Sequence, residues 1–266
     1  MTETQLPTRR TSVLQPIKTR AGKTLARTSW WRNRQAKRAA AEAEKAGYGE
    51  YFDPHLKARF VAGEDVSLAE IERAYDRLWE GKVDDCVRGD DLDAILGAIG
   101  ADCRTCLDVG CGAGRVAVAI AQTGRSVTAT DISEEALKHA RLAAEEAGVD
   151  MEFVHAPMER LPFPDRAFDT VVTTHTLEHV KDLEVAAAEL CRVAGRQVVV
   201  LVPREDEVSV LGSDYHFQCF PDGESLLRAF RLPRATVREG TVVNPQWHGN
   251  FLLLIGDVTE QRRASV

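Results

Sequence analysis

The stretch Thr105-Cys-Leu-Asp-Val-Gly-Cys-Gly-Ala-Gly-Arg-Val-Ala-Val-Ala-Ile120 organises the rest of the chain. Its first five residues are mostly apolar and begin and end on a β-branched residue, as in a strand that is covered on both faces. Gly110, Gly112 and Gly114 follow at alternate positions, where glycine permits a positive φ and lets a ligand approach the backbone closely. From Arg115 onward, small and apolar residues are typical of a helix that packs on a sheet. The stretch therefore predicts a strand, a tight turn and a helix N-terminus that attracts an anionic group.

The spacing of these glycines separates two classes of nucleotide-binding turn. Dinucleotide-binding turns require G-x-G-x-x-G, and here Arg115 stands where the third glycine of that motif belongs. The pattern Asp108-x-Gly110-x-Gly112-x-Gly114 instead resembles motif I of the class I S-adenosylmethionine (SAM) methyltransferases. The remainder of the chain has to distinguish SAM from NAD.

Charge is distributed unevenly along the 266 residues. A net charge of −7 argues against a general nucleic-acid binder, but residues 1–45 carry 11 basic and 3 acidic side chains and the remainder has a net charge of −15. We predict that residues 1–45 form a basic, flexible N-terminal arm. Residues 31–46 have strong helix propensity and allow two interpretations. The segment is either a helix that docks on nucleic acid or another acidic partner, or a solvated helix whose tryptophans dock on the domain, which we favour.

The cysteines and the apolar runs indicate the cellular compartment of the protein. Cys103-x-x-Cys106 has no second cysteine pair to complete a metal site, and Cys106 falls in the predicted buried strand. No apolar run is long enough to span a membrane, and Arg9-Arg10 is not followed by the apolar segment of an export signal. We therefore predict a cytoplasmic protein with reduced thiols and no membrane span.

Residues 46–100 predict a helical cap ahead of the glycine turn. Ser67-Leu-Ala-Glu70 is a capping box, and the helix that it opens carries an apolar stripe of Leu68, Ile71, Tyr75, Leu78 and Trp79. A second helix follows over residues 91–99. In the methyltransferases such helices cover the cofactor site, although apolar stripes of this kind are more often plain core.

Residues 101–260 predict one domain in which strands and helices alternate, as in a parallel sheet. A polar loop is predicted from residue 203 to residue 220, and the last two strands are predicted to be joined by a long loop. The predicted strands are 105–109, 126–130, 151–155, 168–173, 197–202, 235–239 and 251–258, and the predicted helices after the glycine turn include 134–147, 183–193 and 223–230.

The segment from Phe153 to Val180 distinguishes the two cofactors. It strongly resembles the small-molecule methyltransferases of ubiquinone and menaquinone biosynthesis, and the resemblance extends over about residues 100–258. It implies an α/β, Rossmann-like class I methyltransferase fold with SAM as cofactor. The implied sheet has seven mostly parallel strands in the order 3-2-1-4-5-7-6, an antiparallel last strand and helices on both faces. The matching motifs are Leu161-Pro-Phe, Asp165, Phe168-Asp169, Leu177-Glu-His-Val180 and His216-x-x-x-Phe220-Pro.

Asp131 stands at the end of the second strand, 23 residues after Asp108. A carboxylate at this position accepts both ribose hydroxyls of a nucleoside and repels a 2′-phosphate. The alternative is a helix-capping aspartate, with Ser133 as the competing cap. Given the glycine turn upstream, we favour ribose binding.

The resemblance implies further cofactor contacts, residue by residue. The backbone of Gly110 and Gly112 would hold the methionine amine and carboxylate of SAM, next to Gly114 in the same turn. Pro157 departs from the family, because an acid that meets the adenine amino group is expected at this position. Glu159 is then the candidate substitute. The other implied contacts are Asp108 with the amine, Ile132 and Met158 with adenine, and Thr174 with the sulfonium and methyl groups.

Three histidines are candidates for the base that deprotonates an acceptor hydroxyl, because the ordinary pKa of histidine lies near neutrality. His216 lies on the loop expected above the site and is the first choice. His179, in the Leu-Glu-His-Val motif, is at least as well explained as a structural residue. His175 ends the fourth strand. One O-methyltransferase branch has a metal-linked E-x-x-E-H motif, which here reads His175-x-x-Glu178-His179, and we predict no metal.

The sequence leaves three functions open. The leading one is methyl transfer from SAM to an oxygen or nitrogen of a small-molecule acceptor. The second is methylation of RNA or protein with residues 1–45 as the docking arm, although the Asn/Asp-Pro-Pro-Tyr/Phe motif of amino-directed nucleic-acid enzymes is missing after the fourth strand. The third is a non-catalytic SAM-binding subunit, against which the intact glycine turn and Asp131 argue.

Overall fold

The structure is a computed structural model that describes residues 3–4, 54–81, 90–213, 215–243 and 248–259. A single mixed sheet of eight strands runs through this part of the chain in the order β1-β7-β8-β6-β5-β2-β3-β4. The strands are β1 (Glu3–Thr4), β2 (Thr105–Val109), β3 (Ser126–Asp131), β4 (Glu152–His155), β5 (Phe168–Thr174), β6 (Ala194–Pro203), β7 (Arg234–Val243) and β8 (His248–Asp257).

The predicted strand order is confirmed for the seven strands that follow residue 100. Numbered from β2 onward, they lie in the order 3-2-1-4-5-7-6. Strands β2 to β6 pair in parallel, and β8 runs antiparallel between β6 and β7. The carboxyl ends of the parallel strands therefore meet at one edge of the sheet, where α/β proteins bind their ligands.

An eighth strand differs from the sequence prediction. Glu3 and Thr4 fall within the arm predicted to be flexible, yet they pair antiparallel with Arg238 and Val237 of β7. The edge strand of a sheet presents unpaired N–H and C=O groups, which a short extended segment can satisfy. The rest of residues 1–45, including Trp30 and Trp31, lies outside the described residues, so its proposed docking role stays a prediction.

Eight α-helices belong to the described ranges, and their capping follows the sequence. Ser133 Oγ accepts a hydrogen bond from Ala136 N and caps α5, as expected. The Ser67–Glu70 capping box also forms, with Ser67 N donating to Glu70 Oε2 over 2.9 Å. The helices are α1 (Pro54–Val61), α2 (Leu68–Gly81), α3 (Asp90–Ala98), α4 (Arg115–Gln122), α5 (Glu134–Ala147), α6 (Leu183–Val193), α7 (Glu207–Gly212) and α8 (Gly223–Phe230).

Two hydrophobic layers cover the sheet, one on each face. The first contains Leu190 of α6 and Phe230 of α8, and the second contains Ile95 of α3, Ile120 of α4 and Leu137 of α5. Residues of the central strand β2 alternate between the two layers, as the period of two in a strand requires. The structure thus confirms helices on both faces of the sheet.

The second half of the chain corrects two details. The last two strands run over 234–243 and 248–257, so a connection of four residues replaces the long loop that was predicted. Gly240 and Asn250 interrupt the alternation of apolar and polar residues, so the sequence pattern did not reveal the full length of these two strands. The segment predicted as a polar loop contains the short helix α7, which Asp206 caps through Ser209 N.

The described ranges contain five of the cysteines and all of the helices above. Cys103, Cys106, Cys111, Cys191 and Cys219 are free thiols, and Cys106 is fully buried in β2. No helix in these ranges is long and apolar enough to cross a membrane. The proposed domain boundaries at residues 45 and 100 stay predictions.

Candidate active site

A cleft of about 590 Å³ opens at the carboxyl ends of β2, β3, β5 and β6. The glycine turn and the ends of these strands form one side of it. Helix α2 and the segment from Pro203 to His216 form the other. Of the residues singled out in the sequence, Asp108, Gly110, Gly112, Asp131, Ile132, Met158, Glu159, Thr174, His175, His179 and His216 line this cleft.

The three glycines of the turn differ in their backbone contacts. Gly110 adopts φ +71°, donates its N–H to Thr130 O over 2.8 Å and accepts a hydrogen bond at its carbonyl from Thr176 Oγ1. Its N–H is therefore already used within the protein. Gly112 donates its N–H to Asp131 Oδ2 over 2.9 Å. Gly114 is not among the lining residues and is the N-cap of α4 at φ +83°, where a Cβ would lie 2.9 Å from Ala140 Cβ.

Asp131 links the two strands that build the cofactor side of the cleft. Its Oδ2 accepts from Gly112 N, and its Oδ1 accepts from Ser133 N over 2.9 Å. Because Ser133 caps α5 through its own side chain, the helix-capping alternative for Asp131 is excluded. The carboxylate is thus held at the end of β3, where a ribose is expected.

Helix α2 covers the cleft with the apolar stripe that the sequence predicted. Leu68, Ile71, Tyr75, Leu78 and Trp79 all line it. Three hydrogen bonds in the described ranges fasten this helix to α5 and its cap. Ser133 Oγ and Glu135 N donate to Asp76 Oδ1 over 2.7 and 3.4 Å, and His139 Nε2 donates to the Trp79 carbonyl over 3.2 Å. The sequence offered no signal for Asp76, because its partner lies 57 positions away.

Thr174 and His175 end β5, and the structure gives them different surroundings. No described group lies within hydrogen-bonding distance of the buried Thr174 Oγ1, which leaves that hydroxyl for a ligand. His175 adopts φ +49°, a strained conformation for a residue other than glycine. Its Nε2 lies 3.4 Å from Asp91 Oδ2 and its Nδ1 3.7 Å from Glu178 Oε1. Since both ring nitrogens face buried carboxylates, His175 is poorly placed to act as a base.

Burial makes His179 a weak base. Its Nδ1 donates to the Tyr215 carbonyl over 2.9 Å, and its Nε2 lies 3.8 Å from Glu178 Oε1. Burial lowers the pKa of His179 to about 4, so its ring is neutral at pH 7. Burial also opposes the charged form of Glu178, but its interactions with His179 and His175 outweigh this and hold the pKa of Glu178 at about 2.

His216 differs from the other two histidines in the closeness of its carboxylate partner, an acid that the sequence did not single out. Its Nδ1 lies 2.5 Å from Oε2 of Glu205, which follows β6 by two residues. The ring also packs edge-on against His179, with 4.9 Å between the ring centroids. Both His216 and Glu205 line the cleft, and both side chains are partly exposed.

The residues expected to meet adenine line the cleft, but their roles stay predictions. Met158 is buried there, next to Pro157. Glu159 lines the cleft, as suggested, and its Oε1 accepts a hydrogen bond from Lys181 N over 3.2 Å. Asp214, considered for substrate binding, lies outside the described residues, whereas its neighbour Tyr215 lines the cleft.

One group in the described ranges offers three ligand atoms for a metal ion. Atoms of Glu178, His179 and His216 lie within 4.8 Å of one another. No described group is within hydrogen-bonding distance of Glu178 Oε2, which is buried. This trio differs from the sequence motif, since His216 takes the place of His175. The absence of a metal from the reaction stays a prediction.

Comparison with known proteins finds similarity to methyltransferases. A family model described as a methyltransferase domain matches residues 107–202. A curated ubiquinone biosynthesis O-methyltransferase from Alkalilimnicola ehrlichii is 31% identical over 182 residues, covering 64% of this chain and 73% of the relative. Another from Bordetella avium is 34% identical over 137 residues, covering 49% of this chain and 57% of the relative. The match thus spans little more than half of the second relative.

Solved structures support the fold. A putative methyltransferase from Bacillus halodurans has a TM-score of 0.53 at 19% identity, covering 64% of this chain and 99% of its own. Magnesium protoporphyrin IX methyltransferase from Synechocystis, solved with S-adenosylhomocysteine bound, has a TM-score of 0.51 at 18% identity, covering 74% and 91%. At these identities the likeness concerns the arrangement of strands and helices, not the acceptor.

Proposed function

The chain belongs to the family of SAM-dependent methyltransferases, and we propose that it transfers the methyl group to a hydroxyl oxygen of a small planar acceptor. The observation that carries this proposal is the His216 imidazole, which lines the same cleft as Asp131 and Thr174. A hydroxyl has to lose its proton on methylation, whereas a free amine attacks through its own lone pair. A base within the cleft therefore favours oxygen.

The cleft fits SAM in size and in chemistry. Its volume of about 590 Å³ lies within the usual range of ligand pockets, about 300–1,000 Å³. Asp131 presents a carboxylate for the ribose hydroxyls, and Thr174 Oγ1 is a buried hydroxyl with no partner in the described structure. When bound, SAM supplies a methyl group that the positive sulfonium sulfur has already activated.

The charge of the cleft bears on the acceptor as well as on SAM. Lys181 is the one lysine or arginine that lines the cleft in the described ranges, and its Nζ pairs with Asp65 over 2.7 Å. An excess of negative charge attracts the sulfonium and repels anions. We therefore propose an acceptor without a negative charge. The lining carboxylates are Asp108, Asp131, Glu159, Glu178 and Glu205.

The shape of the acceptor follows from the apolar lining. Helix α2 contributes Leu68, Ile71 and Tyr75, and the segment that contacts this helix contributes Tyr215. Aromatic and branched side chains of this kind bind flat, apolar rings by stacking and dispersion. An aromatic ring that carries a hydroxyl meets both requirements, the apolar walls and the base. The names of the curated relatives, O-methyltransferases of ubiquinone biosynthesis, support oxygen as the target.

The chain's own residues then have two tasks. The apolar walls and Thr174 orient the acceptor for in-line attack, and orientation of this kind lowers the barrier to the reaction. His216 accepts the proton of the hydroxyl while the oxygen bonds to the methyl carbon. The electron pair of the broken carbon–sulfur bond stays on sulfur, and the positive charge moves from sulfur to the imidazole.

Two acceptors of the same shape test the proposal. The purified protein is titrated calorimetrically with SAM, S-adenosylhomocysteine and NAD, and is then incubated with tritiated SAM and either catechol or 1,2-diaminobenzene. We expect the first two nucleotides to bind, NAD not to bind, and label to enter catechol. His216→Asn should keep the SAM affinity and lose about 10²- to 10⁴-fold of the rate.

Either of two results would overturn the proposal. Label that enters the diamine but not catechol would show nitrogen as the target. Tight SAM binding together with transfer to neither compound would exclude small hydroxylated rings as the acceptor class.

A further inference from the structure

We propose that Glu205 is a positioning residue that fixes the tautomer of His216 and thereby makes Nε2 of that ring the proton acceptor of the reaction. This inference rests on the proposed function, because it assigns the base of that site. Glu205 lines the cleft two residues after β6, and no motif in the sequence pointed to it.

The tautomer follows from the donor and acceptor inventory of the two side chains. Glu205 Oε2 lies 2.5 Å from His216 Nδ1. An ionised carboxylate only accepts hydrogen bonds, so Nδ1 carries the hydrogen of a neutral ring. The lone pair then belongs to Nε2, which is free to take a proton from an acceptor. Without the carboxylate, the proton of a neutral imidazole exchanges between the two nitrogens.

Glu205 is itself held by the end of the sheet. Its N–H donates to the Phe220 carbonyl over 3.1 Å, and its own carbonyl accepts a contact from Cys219 Sγ at 3.3 Å. The preceding residue, Arg204, donates its N–H to Asn250 O of β8 over 2.7 Å. These contacts fix the backbone that carries the carboxylate, which is what a residue that orients another side chain requires.

His216 is held from two further directions. Its N–H donates to Ser213 Oγ over 3.3 Å. Its ring lies edge-on to Tyr215 and His179, with centroid distances of 5.5 and 4.9 Å. With the carboxylate of Glu205 behind Nδ1, these contacts leave the ring little freedom to rotate, so the side that bears Nε2 keeps one direction.

The other two histidines lack this arrangement. The Nδ1 of His179 is held by a neutral carbonyl, and burial lowers its pKa to about 4. The ring of His175 lies between Asp91 and Glu178. A carboxylate behind the ring stabilises the imidazolium that forms when the proton arrives, and a carbonyl does so much less. The Glu205 carboxylate lies 2.5 Å from Nδ1 of His216, much closer than Glu178 lies to His175, at 3.7 Å, or to His179, at 3.8 Å.

A spectroscopic measurement tests the tautomer without any acceptor or SAM. Protein labelled with ¹⁵N-histidine is studied at pH 7.5 by two-bond ¹H–¹⁵N correlation of the imidazoles, and His216 is assigned by its loss in His216→Asn. We expect a protonated Nδ1 and an unprotonated Nε2 in the wild type. In Glu205→Ala we expect the proton to move largely to Nε2, while Glu207→Ala, at an exposed position on α7, should leave the spectrum of His216 unchanged.

A kinetic measurement separates positioning from a structural role. With catechol as acceptor, Glu205→Ala should lose about 10- to 100-fold in kcat with KM for SAM unchanged. Glu205→Asp, which restores a carboxylate, should recover part of the loss, and Glu207→Ala should resemble the wild type.

The two ideas fail in distinguishable ways. Wild-type His216 with its proton on Nε2, or a tautomer unaffected by Glu205→Ala, would overturn the role of Glu205 even if catechol is methylated. Equal kcat values for Glu205→Ala and Glu207→Ala would do the same. Absence of transfer to catechol by the wild type would overturn the proposed function, and the spectra would then decide on the tautomer alone.

Discussion

Replacement of Gly110 by alanine is the most direct probe of the turn that carries the cofactor site. Two physical costs add at this position. Gly110 adopts φ +71°, and a left-handed conformation costs a residue with a Cβ roughly 1–2 kcal/mol. A Cβ there would also lie 2.1 Å from Thr176 Cγ2 and 2.5 Å from Thr176 Oγ1, and overpacking of this kind costs roughly 1–3 kcal/mol. We therefore expect Gly110→Ala to lower the free energy of unfolding by roughly 2–5 kcal/mol.

Gly124 is the matched control, because it isolates the first cost. It adopts φ +86°, but nothing lies within 4 Å of the position that its Cβ would take. Gly124→Ala should therefore lose only the conformational share, roughly 1–2 kcal/mol. The measurement is urea denaturation followed by circular dichroism, with the slope of the transition compared between variants.

A double-mutant cycle assigns the second cost to Thr176. Thr176→Ala removes Cγ2 and Oγ1, and with them the hydrogen bond to Gly110 O. Combined with Gly110→Ala, it should recover part of the overpacking share, because Thr176 Cβ at 2.8 Å remains, and none of the conformational share. If Gly110→Ala proves no more destabilising than Gly124→Ala, or if the second substitution recovers nothing, the close approach of Thr176 does not constrain the turn.

Three further predictions concern the cofactor, the buried histidine and the N-terminal arm. Asp131→Asn should weaken SAM binding in calorimetry by about 10- to 100-fold, because a charged acceptor for the ribose hydroxyls is lost, while the exposed Asp150→Asn should bind as the wild type does; equal affinities would contradict the ribose role. The folded-state pKa of His179 lies at about 4, below the ordinary value of 6.5, so its contribution to stability is complete above pH 6.5 and is lost as the pH falls toward 4. As the pH is lowered from 7 to 4, the urea midpoint should fall less steeply for His179→Gln than for the wild type. Parallel curves would argue against a contribution from the protonation of His179. Deletion of residues 1–45 should leave SAM affinity and transfer to catechol intact and abolish retention on a polyanionic resin if the arm docks on acidic partners; retention by the shortened protein would place that binding elsewhere.

Much of the fold followed from local patterns in the sequence. Alternating strands and helices, each with its own cap or stop, predicted the parallel sheet, and the structure places β2 to β8 in the expected order. The position of the glycine turn and Asp131 at the cleft was equally predictable, because both stand next to the ends of buried strands. Features of this kind depend on neighbours within a few residues, so that periodicity and capping rules reveal them.

Helix α2, which covers the cleft, was predictable in part. The apolar stripe of α2 was evident from its helical spacing, and all five of its predicted members line the cleft. What fastens this helix was not evident, because Asp76 meets Ser133 across 57 positions. Similarly, Glu3 and Thr4 pair with the edge strand β7 more than 230 positions away along the chain.

The chemistry of the candidate site depends most on what lies far apart in the sequence. A histidine in a sequence reveals its ability to carry a proton, but its tautomer, its burial and its charged neighbours come from residues that folding brings to it. Asp91 and Glu178 occupy both nitrogens of His175, burial weakens His179, and Glu205 orients His216. The sequence therefore established the family and the sheet, and it predicted the glycine turn that the structure shows at the cleft. Packing alone ranked the three histidines, because solvation and hydrogen bonding, which set the reactivity of an imidazole, are properties of its surroundings in space.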